Sequence, residues 1–308
     1  MPGTFSRSEI KGAEAQSGTT IHGWGSVVFG IPFLIAGVFI FLISVGIIPV
    51  DKKDIHAPLW VLSACGAMFG LPGAWLLVHG ARGLSRKTRL NEGKKIRPEM
   101  PWLWDYDWEP LGISENKVKK VLGAFVAAVF LLLFLSPFNW WAFFSGQGEF
   151  LLYLVVGLFD SIALVVLGNV FYKLFQLLKY GDSRLRFGDF PFYLGQTAQM
   201  TLEGLPADMN KLKLELRCVE EAYETRGSGK NRSQQVVCYR RYGEERNLDP
   251  SEFPQNGSLK MEWELPEDTE LSSRLSERPA LFWEIEIEAA TPGIDYHSRF
   301  LLPVYAKN

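Results

Sequence analysis

Long apolar runs separated by polar stretches occupy the first 180 residues, whereas polar and apolar residues alternate one by one in much of the remainder. Each long run has the ~20 residues that a helix needs to cross ~30 Å of hydrocarbon. Gly and Pro inside these runs would disturb soluble helices but are tolerated in membrane helices. The pattern therefore predicts four transmembrane helices. The runs are Trp24–Val50, Leu59–Val78, Val121–Phe144 and Phe150–Tyr172, and the predicted helices lie at about 24–48, 59–81, 121–144 and 150–174.

The basic residues predict how these helices are oriented. Loop 82–120 contains ten Lys and Arg, whereas the short loop before Phe150 contains none. Because basic loops stay on the cytoplasmic side, we expect the N-terminal segment 1–23, loop 82–120 and the C-terminus to be cytoplasmic. Val50-Asp51-Lys52 is not a small-residue cleavage site, so the first run is a retained anchor. The helices form a transmembrane domain over 24–178, in the inner (plasma) membrane of a bacterium.

The C-terminal part, 184–305, alternates with a period of two. In KLKLELRC, Leu212 to Cys218, and in LKMEWEL, Leu259 to Leu265, every second residue is apolar. LFWEIEIEA has the same alternation, with Phe282, Glu284 and Glu286 on the face predicted to be wet. Strict alternation indicates strands with one buried and one wet face. Further strands are expected near 184–194, 197–204, 234–242 and 296–305. The fold class is therefore membrane α-helical plus all-β, with an antiparallel β-sandwich as C-terminal domain.

Three stretches of this part resemble one half of an arrestin-like, or immunoglobulin-like, sandwich. They are MTLEGLPADMNKLKLELRC, MEWELPEDTELSSRLSERPALFWEIEIEA and DYHSRFLLPVY. The resemblance lies in an apolar strand that ends at Leu-Pro, a serine-containing loop, an aromatic-led strand and a last strand with aliphatic-Pro-Val. It implies a binding module without catalysis. The whole layout also resembles a group of bacterial multi-pass membrane proteins to which no function is assigned.

The residues that usually carry chemistry are sparse. The three cysteines have no CxxC spacing, and His22 and His79 have no partners at metal-site spacing, so we predict no metal site, cofactor or catalytic residue. GSGKN, from Gly227 to Asn231, lacks the order of a phosphate loop and is interpreted as a hairpin tip. Cys218 and Cys238 would then be cross-strand neighbours and remain thiols. The sandwich is more acidic than basic, which argues against nucleic-acid binding.

Asp160 lies near the middle of the fourth apolar run. A carboxyl group at mid-membrane costs at least ~2.5 kcal/mol and is a functional-site hypothesis by default. It is either a proton or ion site or a structural acid hydrogen-bonded across helices. A second polar residue facing Asp160 would favour transport. Gly66 and Gly70 have the spacing of a close helix contact. The spacing is compatible with a contact within one chain or between two chains.

The segment RPEMPWLWDYDWEP, Arg97–Pro110, is called the aromatic segment below. Residues 82–97, which end at the first residue of the aromatic segment, contain seven Lys and Arg and one acid. We expect them to contact anionic lipid headgroups. The segment itself combines aromatic rings with acids, which indicates a protein contact as well. Either it clasps the sandwich to the helices, or it is a platform for a partner protein. The candidate contact residues are Trp102, Trp104, Tyr106 and Trp108.

These patterns favour a non-enzymatic membrane protein that acts as an anchored binding or scaffold module through a cytoplasmic sandwich and has a protein partner. A long exposed apolar edge on the sandwich would support binding. The alternative is a small transporter or ion-coupled membrane subunit that uses Asp160. Nothing in the sequence supports an enzyme.

Overall fold

The computed structural model describes residues 4–10, 15–16, 23–50, 58–146, 150–227, 232–253 and 257–307. The predicted tip of the GSGKN hairpin, His22 and most of the first extramembrane loop lie outside these residues. The chain forms two compact units. The helical unit comprises Thr19–Thr88 and Val118–Phe175, and the β-rich unit comprises Met1–Gly18, Arg89–Lys117 and Gln176–Asn308.

The described chain has four helices that are long and apolar enough to cross a membrane. They are α1, Trp24–Ser44; α2, Leu59–Ile96; α3, Lys117–Phe144; and α4, Phe150–Tyr180. At most 22% of the most apolar window of each helix is buried. Large apolar side chains such as Phe39, Trp75 and Leu164 point outward. A protein surface of this kind is expected where lipid is the solvent.

Several helix ends differ from the predicted ones. α2 does not end near residue 81 but continues to Ile96, so the first part of the predicted loop 82–120 is helical. Lys, Arg and Leu in this stretch are good helix formers, and Pro98 then disfavours helical geometry in the residue before it. α3 begins at Lys117 and α4 continues to Tyr180, whereas α1 ends at Ser44, just before Gly46 with a φ of 78°.

Glycines bring the backbones of α1 and α2 into contact. A Cβ atom added to Gly37 would lie 2.1 Å from the backbone nitrogen of Gly70, and one added to Gly66 would lie 2.9 Å from that of Phe41. The close contact that the spacing of Gly66 and Gly70 indicates is therefore within the chain. α3 and α4 have buried residues at every seventh position instead. These are Ala128, Leu135 and Ala142 on α3, and Val156, Ala163 and Val170 on α4.

The β-rich unit contains two larger sheets and a short parallel pair. The five-stranded sheet has the order β1-β7-β6-β9-β10, the four-stranded sheet has the order β2-β3-β5-β8, and all pairs in both are antiparallel. Strands β11 and β4 form the parallel pair. The bounds are β1 Thr4–Glu9, β2 Gly112–Ser114, β3 Arg184–Phe187, β4 Phe192–Tyr193, β5 Thr197–Glu203, β6 Lys211–Arg226, β7 Ser233–Leu248, β8 Ser258–Glu264, β9 Leu281–Ala290, β10 Tyr296–Leu302 and β11 Val304–Tyr305.

The apolar positions of the alternating strands form the core of this unit. Leu216 and Ile285 from the five-stranded sheet and Leu202 and Trp263 from the four-stranded sheet belong to one buried cluster. One predicted wet face is different, because Phe282 and Glu284 on the other side of β9 are also buried, at 0% and 1% exposure. Side chains from outside this strand therefore cover part of the outer face of the five-stranded sheet.

The predicted pairing of Cys218 with Cys238 is wrong. Cys218 lies opposite Tyr242, and Cys238 lies opposite Glu221, because the described strands pair Arg226 with Ser233 and the register shifts after Cys218. The two residues also belong to different buried clusters. Both are free thiols, and burial raises the pKa of each, to about 11 for Cys238.

Candidate functional site

The aromatic segment packs on the β-rich unit around the buried side chain of Asp105. Pro101–Leu103 forms one turn of 3-10 helix, which brings Asp105 to 2% exposure. Its carboxylate accepts hydrogen bonds from the backbone N–H groups of Leu275, at 2.9 Å, and Ser276, at 2.6 Å, and from the hydroxyl of Tyr305 at 3.2 Å. A carboxylate with several donors can be buried at little net cost.

Three of the four candidate aromatic residues face the strands. Trp108 donates its indole N–H to the Tyr305 hydroxyl at 2.9 Å, and its ring lies 4.6 Å from that of Tyr106. Trp102 packs edge-on against Tyr193, at 5.8 Å between ring centroids. Burial, and then the negative charge of Asp105, raise the pKa of Tyr305 far above its usual range. These rings hold the aromatic segment to the last strands of the unit.

Trp104 faces the end of α2 instead. A Cβ atom on Gly93 would lie 2.5 Å from the Cβ of Trp104, so the ring stands directly over this turn of the helix. Its indole N–H donates to the carbonyl oxygen of Arg97 at 3.0 Å, and the ammonium group of Lys94 lies 5.0 Å from the ring centroid, within range of a cation–π interaction. The aromatic segment thus contacts α2 through one tryptophan and the strands through the other two.

A second apolar cluster explains why the outer face of β9 is buried. It consists of Val219, Cys238, Leu275, Ala280 and Phe282. Three side chains from elsewhere pack on it, namely Ile10 from the segment before α1, and Tyr106 and Trp108 from the aromatic segment. Two of the chain segments that lead to or from helices therefore end on the same patch of the five-stranded sheet.

A network of charged side chains lies on the same outer face. Arg217 contacts Glu284 at 2.6 Å and also Glu286, and Arg299 contacts Glu286 at 2.7 Å. Burial opposes ionisation of Glu286, but hydrogen bonds from His297 and Arg299 and the charge of Arg217 outweigh it and hold its pKa well below the usual range. Arg217 and Glu284 are 3% and 1% exposed; their pairing offsets part of the cost of burying two charges, but burial still raises the pKa of Glu284.

Glu286, Glu288 and His297 bring three potential metal-ligand atoms within 4.8 Å of one another. Glu286 and Glu288 lie two positions apart on β9, but His297 comes from β10, so spacing alone did not reveal this group. Nε2 of His297 lies 2.7 Å from Glu286, whose carboxylate also holds two guanidinium groups. An ion would have to compete with both arginines, so the arrangement is better described as part of the charged network.

A buried polar cluster at the start of α3 was not found from the sequence. The ammonium group of Lys117 lies 3.3 Å from the carboxylate of Glu115, and both side chains are about 5% exposed. Glu115 also accepts a hydrogen bond from Ser298 on β10, and the backbone N–H of Lys117 donates to Asp182 at 2.6 Å. Lys117 could not be distinguished from its neighbours Lys119 and Lys120, because all three read as one basic helix flank.

The end of α4 is held in a similar way. Lys179 donates to the carbonyl oxygen of Pro292 at 2.7 Å and to the hydroxyl of Thr291 at 3.2 Å. Tyr180 packs edge-on against Tyr296, whose hydroxyl donates to Ser183 at 2.8 Å, and burial raises the pKa of Tyr296 to about 12. Specific side chains therefore hold the end of α2 to the aromatic segment, the start of α3 to Glu115 and Asp182, and the end of α4 to the loop that follows β9.

Asp160 is far from these contacts in the sequence and lies in the helical unit. The side-chain amide of Asn139 on α3 donates to Asp160 on α4 at 2.9 Å, and also lies 3.3 Å from the carbonyl oxygen of Leu135. A second polar residue thus faces Asp160, and such a pair within the apolar span favours transport. The same bond also fits a structural acid that links two helices.

The long apolar edge expected of a strand-binding surface is not found at β8, the edge of the four-stranded sheet. Its outward residues Lys260, Glu262 and Glu264 are charged, and Arg246 donates to the carbonyl oxygen of Glu262. Charges on an edge strand discourage pairing with another chain. In the described part of the β-rich unit, exposed apolar side chains concentrate around the aromatic segment instead. Four of the six lie there, namely Ile96, Met100, Leu103 and Leu111, and the other two are Leu178 at the end of α4 and Tyr223 on β6.

Comparisons with known proteins add no identification. No family model and no curated protein matches the chain. Spo0M, a sporulation control protein from Bacillus subtilis, is similar over 40% of this chain and 49% of its own, with 13% identity and a TM-score of 0.22. A β-glucosidase from Listeria innocua in complex with gluconolactone is similar over 40% of this chain and 16% of its own, with 10% identity and a TM-score of 0.17. TM-scores this low carry no argument.

Proposed function

We propose that this protein is a non-enzymatic, multi-pass protein of the bacterial inner membrane and that its C-terminal, arrestin-like sandwich is a cytoplasmic binding or scaffold module. The observation that carries the proposal is the set of specific contacts made by the buried Asp105 and Lys117 and by the exposed Lys179. A module that must present a surface to a partner benefits from such fixed attachment, because less freedom is then lost on binding.

The sheet pairings support the proposed topology. β1 precedes α1 yet pairs with β7, and β2 lies between α2 and α3 yet pairs with β3, which follows α4. In a chain that crosses a membrane four times, these segments all emerge on one side. The ten basic residues in 82–120 favour the cytoplasmic side.

Because the rings of Trp102, Tyr106 and Trp108 are half-buried within the protein, they support a structural clasp over a platform for a partner protein. A partner then has to bind the apolar side chains near the aromatic segment that remain exposed. Ile96 and Leu111 are 75% and 77% exposed and Leu103 is 50% exposed, and apolar groups grouped on one connection are typical of protein contacts. We therefore assign the partner-binding surface to the outer side of this connection.

The hydrogen bond between Asn139 and Asp160 supports the second candidate, a small transporter or ion-coupled subunit. Reconstitution into liposomes that contain a pH-sensitive dye separates the two. The binding-module proposal expects no proton flux above that of empty liposomes. Flux that is present in the wild type and lost in Asp160→Asn, at equal protein content, would favour transport.

Site-specific crosslinking tests the binding module itself. A photo-crosslinking amino acid at Leu103 or Leu111 should give the same crosslinked protein in cells, with its yield unaffected by Asp160→Asn. The matched control carries the crosslinker at Phe150, which is 82% exposed at the opposite end of α4, and should not give that product. Absence of a specific product at both positions, with normal protein levels, would remove the support for the proposed binding surface.

A further inference from the structure

The length of α2 limits which basic residues can reach a lipid headgroup. Leu59–Ile96 is one helix of 38 residues, or roughly 57 Å at about 1.5 Å per residue. The hydrocarbon core is ~30 Å thick and each headgroup layer adds about 5–8 Å. From Arg82 to Lys87 the helix rises about 8 Å, and from Arg82 to Ile96 it rises about 21 Å. The basic stretch of a membrane-crossing α2 therefore extends beyond the headgroup layer.

Ion pairs distinguish the outer part of this basic stretch, from Arg89 onward, from the inner part at headgroup level. Arg89 lies 3.6 Å from Asp107, and Lys94 lies 3.9 Å from Glu277, so the outer part of the stretch is used within the β-rich unit. Arg82, Arg86 and Lys87 belong to the helical unit and are exposed. The inner three cations lie in the first turns after the apolar run.

The same division is repeated in α3 and α4. Lys117 is buried against Glu115 and Lys179 is bound to Pro292. Two and three positions nearer the apolar run, Lys119 and Lys120 are exposed at the start of α3. Lys173 directly follows the apolar run of α4 and is half-buried. Each of these three helices therefore has at least one cation paired or hydrogen-bonded within the β-rich unit and at least one at the edge of its apolar span.

We propose that the cations at these three helix ends form a belt that binds the headgroups of anionic phospholipids. The belt consists of Arg82, Arg86, Lys87, Lys119, Lys120 and Lys173. The stretches 82–88, 118–124 and 170–178 contain six basic residues and no Asp or Glu, whereas the aromatic segment is rich in acids. This inference rests on the proposed multi-pass topology, and it moves lipid binding from the whole of 82–97 to residues on three helices.

The magnitude of the effect makes the belt testable. Each Lys or Arg near an anionic bilayer contributes about 1 kcal/mol, which is about fivefold in affinity. Replacing three cations should therefore weaken binding of an anionic lipid roughly a hundredfold if all three contribute. Replacing three cations in the outer part of the same helix should have little effect, because those residues lie beyond the headgroup layer.

The experiment compares two triple variants of the full-length chain in neutral detergent. The belt variant is Arg82→Gln/Lys87→Gln/Lys119→Gln, and the matched control is Arg89→Gln/Lys94→Gln/Lys95→Gln, which removes the same charge. Phosphatidylglycerol or phosphatidylcholine is titrated into the micelles, and bound lipid is measured by native mass spectrometry. We expect wild type and control to bind phosphatidylglycerol in preference, and the belt variant to lose the preference. Inorganic phosphate should not compete at the concentration of the lipid.

Three results would overturn the belt, namely equal loss in both variants, no loss in the belt variant, or displacement of the lipid by inorganic phosphate. Failure of the proposed function would look different. If the chain does not span the membrane, alkaline carbonate should release it from membranes without detergent. Retention in carbonate-washed membranes together with no preference for phosphatidylglycerol would reject the belt alone.

Discussion

At the residue scale, Asp105 differs from the other acids of the aromatic segment through its neighbours alone. Glu99, Asp107 and Glu109 are exposed, whereas Asp105 is buried among three donors. The sequence predicted that acids in this segment indicate a protein contact, but it could not select one of four. Which of the four acids is buried depends on a loop about 170 positions away, because the backbone N–H groups of Leu275 and Ser276 are the donors to Asp105.

Replacing Asp105 with Ala should therefore destabilise the β-rich unit strongly. Two backbone N–H groups and one hydroxyl lose their acceptor, and each unsatisfied buried group costs about 1–3 kcal/mol. The matched control is Asp107→Ala, because the Asp107 side chain is 86% exposed and has only a surface ion pair with Arg89, so its loss should change stability by less than about 1 kcal/mol. Chemical denaturation of the full chain measures both. Similar effects of the two variants would contradict the assigned role of Asp105.

Tyr305 predicts a specific loss of stability at high pH. Burial and the charge of Asp105 raise its pKa, so the folded protein keeps the phenolic proton while the unfolded chain releases it above about pH 10. The contribution of this hydroxyl to the free energy of unfolding is complete below about pH 10 and falls as the pH rises above it. Tyr305→Phe should be less stable than wild type near pH 8, because Trp108 loses its acceptor.

The difference between wild type and Tyr305→Phe should narrow between about pH 9 and about pH 11. Denaturation midpoints of the two proteins across this range measure the effect, and background titrations cancel in the comparison. Tyr223→Phe is the control, since Tyr223 is 39% exposed. A difference that stays constant with pH would mean that Tyr305 ionises equally in both states.

At the scale of single elements, local patterns predicted the long helices and the strands of the C-terminal part, but not the short strands β1 and β2. The apolar runs of α1 to α4 and the alternation of β6 and β8 are local properties, so the sequence alone located them. β1 and β2 have six and three residues and exist because distant strands offer an edge, which local propensity cannot reveal. The covered outer face of β9 was missed for the same reason, since residues outside the strand cover it.

The contact between α1 and α2 makes a prediction about glycine. Gly37→Ala should disrupt the helix pair, because the added Cβ would lie 2.1 Å from the backbone of Gly70 and both helices would have to separate. Gly157→Ala on α4 is the control, since an added Cβ there meets nothing within 4 Å. Thermal unfolding in detergent should show a lower melting temperature for Gly37→Ala and little change for Gly157→Ala. Equal melting temperatures of wild type and Gly37→Ala would contradict the close contact.

At the scale of the whole molecule, the chain has a four-helix unit and a β-rich unit, and the β-rich unit includes the last residues of α2 and α4 and the first residue of α3. The length of the apolar runs and the alternation of polar and apolar residues were sufficient to predict both kinds of structure, because each pattern is a property of one part of the chain alone. The joints at Lys117 and Lys179 could not be predicted, since each depends on pairing a lysine from a basic flank with acceptors that only the folded sheets bring close.

The predicted topology has its own test. A C-terminal fusion to a fluorescent protein should be bright in cells, and a C-terminal fusion to alkaline phosphatase should be inactive, because the β-rich unit is expected to be cytoplasmic. Both fusions are attached after Asn308, beyond β11, so neither interrupts a strand. An active phosphatase together with a dark fluorescent fusion would reverse the orientation and would also remove the basis for an anionic-lipid belt on the cytoplasmic side.

We propose that the aromatic segment holds the strands of the β-rich unit to the end of α2, and limited proteolysis of the full chain is the test. Trp104 and Trp108 are half-buried, so their truncation to Ala should cost less than the about 3–5 kcal/mol of a fully buried ring. Even about 1.4 kcal/mol would increase the open population tenfold. Trp104→Ala and Trp108→Ala should therefore be cleaved several-fold faster within 97–116 and near 180–184, whereas the lipid-facing control Trp60→Ala, 49% exposed, should match wild type. Cleavage rates in both variants equal to wild type would contradict the claim.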